Sequence, residues 1–193
     1  MTALQPLLAQ LSSGNDYLAE NAAAKLYAHG QPAFAALCQL RQSPDPDQRW
    51  WAVRALSQFP ASSGLNGELI AALEDDTVEV QQCAALAICH HPALQAVSSL
   101  IRLLSSSDSL LAGLASTALA KIGPEAVPAL LEALKNEKAS ARLEAIRALA
   151  EIKDPRAIPA LMKILDSDSA LARYWAEQGL DNLGLGMVYL RPE

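Results

Sequence analysis

The sequence predicts an all-α fold, a right-handed α-solenoid (an α–α superhelix) of about six helix pairs, and three observations carry that prediction. Apolar residues make up 51% of the 193-residue chain and aromatics only 5%. Alanine and leucine supply the bulk, and both are strong helix formers. Leu7, Leu37, Leu69, Leu100, Leu130 and Leu161 recur at intervals of 30, 32, 31, 30 and 31 residues. Nineteen residues beyond each lies Leu26, Leu56, Ile88, Leu119, Leu149 or Leu180, and four residues before each of those lies Ala22, Ala52, Ala84, Ala115, Ala145 or Ala176. An offset held through six copies marks a repeat architecture, in which each unit buries its apolar stripe against its neighbours.

Within a repeat the elements follow in order. The first helix carries leucines at the i, i+4 spacing of an apolar stripe, as in Leu130 and Leu134 or Leu161 and Leu165. A polar break comes next: SSGND, SPDPD, EDDT, SSSD, NEKA and DSDS in the six copies. The second helix carries the alanine and the second leucine, and the small residue lets it approach its neighbour closely. Pro124, Pro128, Pro155 and Pro159 fall where a helix start tolerates a missing N–H. Residues 1–184 are thus expected to form a single solenoid domain with repeats of 30–32 residues. Residues 185–193, LGMVYLRPE, are expected to form a short C-terminal tail, apolar enough to cover the last repeat or to contact a second copy.

The stretches PALLEALKNEKASARLEAIRALAEI and PALMKILDSDSALARYWAEQGLDNLG resemble HEAT repeats of the short type named after phycobilisome lyases. The pattern is an acidic inter-helix turn, an arginine, then the alanine and leucine, and the resemblance covers about residues 4–184. Its arginine falls on Arg49, Arg142 and Arg173, with Ala19, Gln81 and Ala112 in its place elsewhere. The resemblance implies that this arginine ties a repeat to an acidic turn, pairing Arg49 with Asp45 and Arg173 with Asp168. It implies no single function, since such repeats serve many unrelated roles.

Charge narrows the partner. The net charge is −6; residues 1–96 carry 4 Lys/Arg against 9 Asp/Glu, and residues 97–193 carry 11 against 12. Nucleic-acid affinity rests mainly on basic side chains neutralising phosphates, so this balance argues against DNA, RNA or an anionic membrane as partner. Cys38, Cys83 and Cys89 are an odd set without a C-x-x-C pair, and no N-x-S/T sequon occurs. The amino terminus has no basic region before its short apolar run, and no stretch approaches 18 uninterrupted apolar residues. These features lead us to expect a soluble, cytoplasmic protein.

A right-handed stack of helix pairs turns its second helices to the concave side, the surface that solenoids usually present to partners. With the alanine and leucine set inward, the residues 13, 16, 17 and 20 places after the first leucine are expected to point outward at 100° per residue. Place 13 holds Glu20, Trp50, Gln82, Gly113, Leu143 and Tyr174. Place 16 holds Ala23, Val53, Ala85, Ser116, Ile146 and Glu177, and place 17 holds Ala24, Arg54, Leu86, Thr117, Arg147 and Gln178. This face is mostly apolar from the second to the fifth repeat, where a solvated face should be polar. The candidate partner-binding residues are therefore Trp50, Arg54, Leu86, Leu143, Arg147 and Tyr174. Trp51 and Trp175, one residue on from Trp50 and Tyr174, are expected to pack between repeats.

No residue set points to chemistry. Cys89, His90 and His91 are neighbours that cannot easily converge on one ion, so no metal site is expected. HEAT-like deoxyhypusine hydroxylases bind iron through His-Glu pairs, whereas His29, His90 and His91 precede Gly, His and Pro. No G-x-S-x-G, P-loop or dinucleotide fingerprint occurs. We therefore expect no catalytic residues and no cofactor. The expected function is a non-catalytic protein–protein interaction scaffold that binds a protein partner along an apolar concave groove, its oligomeric state left open. The alternatives are a phycobilin lyase-like or chromophore-detaching protein, with Arg54 or Arg147 on the propionates of a bilin, and a DNA-repair-type helical repeat protein.

Overall fold

The computed structural model describes residues 4–136, 138–166 and 169–185. Among the described residues there are twelve α-helices and no strand. The chain divides into two compact units, Met1–His91 and Pro92–Glu193. The first holds the pairs α1 (Leu4–Leu11) and α2 (Asp16–Leu26), α3 (Gly30–Leu40) and α4 (Pro46–Leu56), and α5 (Ser63–Ala72) and α6 (Val78–His90). The second holds α7 (Val97–Leu103) and α8 (Ser109–Ile122), α9 (Val127–Ala133) and α10 (Ala139–Ile152), and α11 (Ile158–Ile164) and α12 (Ala170–Asn182). Each first helix packs on the second helix of its own pair, and the second helices pack in sequence, α2 on α4 on α6 and α8 on α10 on α12. This is the repeat stacking of an α-solenoid.

The polar breaks fold by one recurring device. Six places after the first leucine, a short side chain accepts from the backbone N–H two residues on: Ser13 from Asn15 at 3.3 Å, Ser43 from Asp45 at 3.1 Å, and Asp75 from Thr77 at 3.0 Å. Ser106 accepts from Asp108 at 3.1 Å and Asn136 from Lys138 at 2.9 Å. A side-chain acceptor here mimics a backbone turn and reverses the chain. The second helix then starts on its own cap: Asn15 accepts from the Leu18 N–H, Asp108 from Leu111 and Ser169 from Ala172.

A long side chain three residues inside the second helix reaches back to that turn. Arg49 donates to the Ser43 carbonyl at 3.1 Å, Gln81 to the Asp75 carbonyl at 2.7 Å, and Arg142 to the Asn136 carbonyl at 2.7 Å. Arg49 also crosses to the following turn, and this corrects the expected pairing with Asp45. Its carboxylate partners are Asp75, met by Nε and Nη2 at 2.9 Å each, and Asp76 at 2.6 Å. Asp45 instead caps α4, accepting from the Asp47 N–H at 3.0 Å. The guanidinium favours Asp75 because one planar fork can then join two repeats. The expected partner of Arg173, Asp168, lies outside the described residues.

The first helices of the second unit share a common start. Each opens with a 3₁₀ turn, Leu94–Ala96, Pro124–Ala126 or Pro155–Ala157, before a seven-residue α-helix. Pro124, Pro128, Pro155 and Pro159 sit in these starts, where no intrahelical N–H is needed.

Both repeat series form the core. Leu37, Leu69, Leu100, Leu130 and Leu161 are fully buried, as are Leu26, Leu56, Ile88, Leu119, Leu149 and Leu180, while Leu7 in the first repeat is partly buried. All six alanines of the series are 0% exposed. One residue before the second leucine lies another small, buried series, Ala55, Ala87, Ala118, Ala148 and Gly179. A Cβ on Gly179 would stand 2.8 Å from Leu161 Cδ1 and 3.0 Å from the Ala150 Cα, so α12 approaches its neighbours more closely than alanine allows.

Candidate functional site

Burial corrects the outward face. Place 16 does not point out: Ala23, Val53, Ala85, Ser116 and Ile146 are buried, and only Glu177 in the last repeat is partly exposed. α4 and α10, each flanked on both sides by other second helices, bury more of their circumference than a helix resting on one surface, which accounts for Val53 and Ile146. The Ser116 hydroxyl shows the direction, donating to the Glu144 carbonyl of the next second helix at 2.8 Å. The exposed strip is therefore narrow and runs through places 13 and 17.

The six candidates fall three to a unit. In the first, Leu86 is 50% exposed, while Trp50 and Arg54 are partly buried. Arg54 forms an ion pair with Glu20 of the preceding second helix. In the second, Tyr174 is 51% exposed, and Leu143 and Arg147 are partly buried. Arg147 donates to the Gly113 carbonyl and the Thr117 hydroxyl, both at 3.0 Å, and lies 3.3 Å from Glu144. A Cβ on Gly113 would stand 3.7 Å from the guanidinium, in ordinary van der Waals contact with it. Both arginines thus staple place 17 of one helix to place 13 of the helix before.

The adjacent rings touch each other. Trp50 and Trp51 meet edge to face, with centroids 4.8 Å apart and planes at 86°. Tyr174 and Trp175 repeat the arrangement at 5.3 Å and 72°. A 100° step between neighbours sets two rings nearly perpendicular, and the positive edge of one then rests on the negative face of the other.

Two clefts adjoin these residues. In the second unit, Leu143, Ile146, Ala160 and Ile164 line a cleft of about 580 Å³ whose lining also includes Lys135, Arg142 and Lys163. In the first, Trp50 and Trp51 line a cleft of about 830 Å³ beside the turns of the first two repeats. The repeat pattern does not mark this second cleft; its signal in the chain is an acidic residue in the first turn of every second helix of the unit, Asp16, Asp47 and Glu79. His91 donates from Nε2 to the Ser57 carbonyl, 2.9 Å away, and so packs one repeat on another. Among the described residues no three His, Cys, Asp or Glu side chains converge as a metal site. Nor is any single described helix long and apolar enough to cross a membrane.

Residues 111–181 match the family described as HEAT repeats. No curated protein matches the chain. Among solved structures, the archaeal HEAT-like repeats protein from Thermococcus onnurineus NA1 is similar with a TM-score of 0.67 at 16% identity, over 95% of this chain and 81% of its own. A designed armadillo repeat protein in complex with peptide (KR)4 is similar with a TM-score of 0.57 at 20% identity, over 94% and 100%. The complex of CpcE and CpcF of phycocyanin lyase from Nostoc sp. PCC7120 is similar with a TM-score of 0.56 at 22% identity, over 95% and 78%. At these identities the likeness is one of fold: a HEAT-like, armadillo-like helical repeat.

Proposed function

We propose that this protein is a non-catalytic protein–protein interaction scaffold, cytoplasmic, which takes a protein partner against the exposed strips of its second helices. Trp50, Arg54 and Leu86 are the contact residues in the first unit, and Leu143, Arg147 and Tyr174 those in the second. The observation that carries the reading is the half exposure of Leu86 and Tyr174, large side chains on the outward strips of α6 and α12. Exposed rings and aliphatic side chains beside fixed charges are the composition of binding anchors. The peptide bound to the designed armadillo neighbour supports a protein partner for this architecture. The bilin-lyase alternative has less support, because pairing with propionates would require Arg54 and Arg147 to leave Glu20 and the Gly113 carbonyl, whereas a protein partner can pack over them as they stand.

The test places a photo-crosslinking phenylalanine at Leu86 and at Tyr174, identifies the attached protein by mass spectrometry, and measures the purified pair. Leu86→Glu and Tyr174→Ala are expected to weaken binding by about 30-fold, the cost of losing about 2 kcal/mol of anchor energy, with unchanged thermal melting. A partner that binds both variants as tightly as the parent would overturn the assignment.

A further inference from the structure

The second unit contains a cleft of about 580 Å³ that opens between the hairpins α9–α10 and α11–α12. Its own side chains are too short to fill it: Ala139, Ser140, Ala160 and Ala172 line the space, and Leu143 and Ile146 give it an apolar wall. Leu143 also belongs to the outward strip of α10, so the cleft continues the surface assigned to a partner. Cations stand at its edge. Lys135, Arg142 and Lys163 line it, and among the described residues no Asp or Glu does. Two helix starts, α10 and α12, and two helix ends, α9 and α11, border the cleft, so their dipoles oppose one another and the side chains set the sign of its charge.

We infer that this cleft receives a large apolar side chain from an amphipathic helix of the partner protein, with acidic residues of that helix against Lys135 and Lys163. An apolar wall open to water favours burial of a matching side chain, and the volume lies within the range of ordinary ligand sites. The edge selects acidic neighbours. Lys135 and Lys163 are both exposed; Lys135 meets Glu132, but a pair so open to water is worth little and exchanges readily. Arg142 is held on the Asn136 carbonyl at 2.7 Å and fixes a third positive charge beside the cleft. A helix suits this surface better than an extended segment, whose backbone N–H and C=O groups would lie unpaired against the apolar wall. In a helix those groups bond within the segment itself, and residues three and four apart set an apolar stripe beside an acidic one.

This inference rests on the scaffold reading, and the experiment separates the two. The probe is a fluorescein-labelled, alanine-based peptide of five helical turns, with a leucine stripe flanked by glutamates. Its controls carry lysine for glutamate, alanine for leucine, or a central proline that breaks the helix. Anisotropy is expected to show saturable binding of the glutamate peptide that weakens as salt rises, with each control at least 10-fold weaker. Lys135→Glu/Lys163→Glu should lower affinity for the glutamate peptide at least 10-fold and raise it for the lysine peptide. Ser140→Trp, which sets a ring at the mouth of the cleft, should weaken binding likewise. All three positions are exposed, so thermal melting should not change. No saturable binding, equal binding of the lysine or proline peptide, or unaltered preference in the charge-reversed protein would overturn the inference. Self-association of the chain that Ser140→Trp abolishes would also overturn it, by giving the cleft to a second copy. If the inference fails while the partner crosslinked at Tyr174 still depends on Tyr174, the cleft assignment falls and the scaffold stands. If that dependence is absent too, both fall.

Discussion

Arg49 and Asp75, 26 residues apart, meet through two parallel hydrogen bonds of 2.9 Å that join the turn of one repeat to the turn of the next. Both side chains are largely removed from water, 12% and 8% exposed, so each depends on the other for its charge to be tolerated. Arg49→Ala is expected to cost about 3–5 kcal/mol, because Asp75 is left unpaired. Arg49→Lys keeps the charge but not the fork and should cost less. Urea unfolding of the two variants checks the order.

The same pair sets a response to acid. Burial alone would raise the Asp75 carboxyl, but hydrogen bonds from Arg49 and the Thr77 N–H outweigh it and hold the group below the usual carboxylate range. Asp154 is held at about 2, first by its side-chain hydrogen bond with Arg156. Groups lowered in the folded state contribute stability in full above the unfolded value of about 3.9, and that contribution fades as pH falls through the folded value. The wild type should therefore lose more stability between pH 6 and pH 3 than Asp75→Asn does. Equal losses in chemical denaturation would contradict this.

Two glycines inside helices should answer the same substitution with opposite signs. Around Gly67, in α5, an added Cβ meets nothing within 4 Å, so Gly67→Ala should stabilise by about 0.5–1 kcal/mol through helix propensity. Gly179→Ala, with its Cβ forced against Leu161 and the Ala150 backbone, should destabilise by about 1–3 kcal/mol. Thermal melts of both proteins measure the difference.

Core and face should separate in the same assay. Leu130→Ala and Leu149→Ala empty fully buried sites and should cost about 2–5 kcal/mol each. Leu86→Glu, on an exposed strip, should stay within about 0.5 kcal/mol of wild type. Trp50→Ala falls between, because it removes an edge-to-face contact with Trp51 worth about 0.5–1.5 kcal/mol beyond area burial.

Cys83 is expected to resist alkylation in the native protein at pH 8. Burial pushes its thiol up to about 12, so almost none of the reactive thiolate is present. Mass spectrometry after iodoacetamide treatment should find Cys83 modified only under denaturing conditions; rapid native labelling would show that α6 opens.

The sequence by itself determined the repeat, the helix pairs and the buried leucine and alanine series, because a periodic apolar stripe has only one way to leave water: against the next copy of itself. The turn acceptors Ser13, Ser43, Asp75, Ser106 and Asn136 were equally present in the sequence, and their common offset went unread. The tertiary structure decided how wide the buried arc of each second helix would be. Val53 and Ile146, outward on a helix resting on one surface, became core once second helices lay on either side of α4 and α10. It also decided which charges remain for others to use. Arg49, Arg54 and Arg147 look alike along the chain, but Arg49 bridges two turns, Arg54 holds Glu20 and Arg147 holds the Gly113 carbonyl. Partners 26 to 34 residues away are fixed by the rise and rotation between neighbouring repeats, which no local pattern encodes.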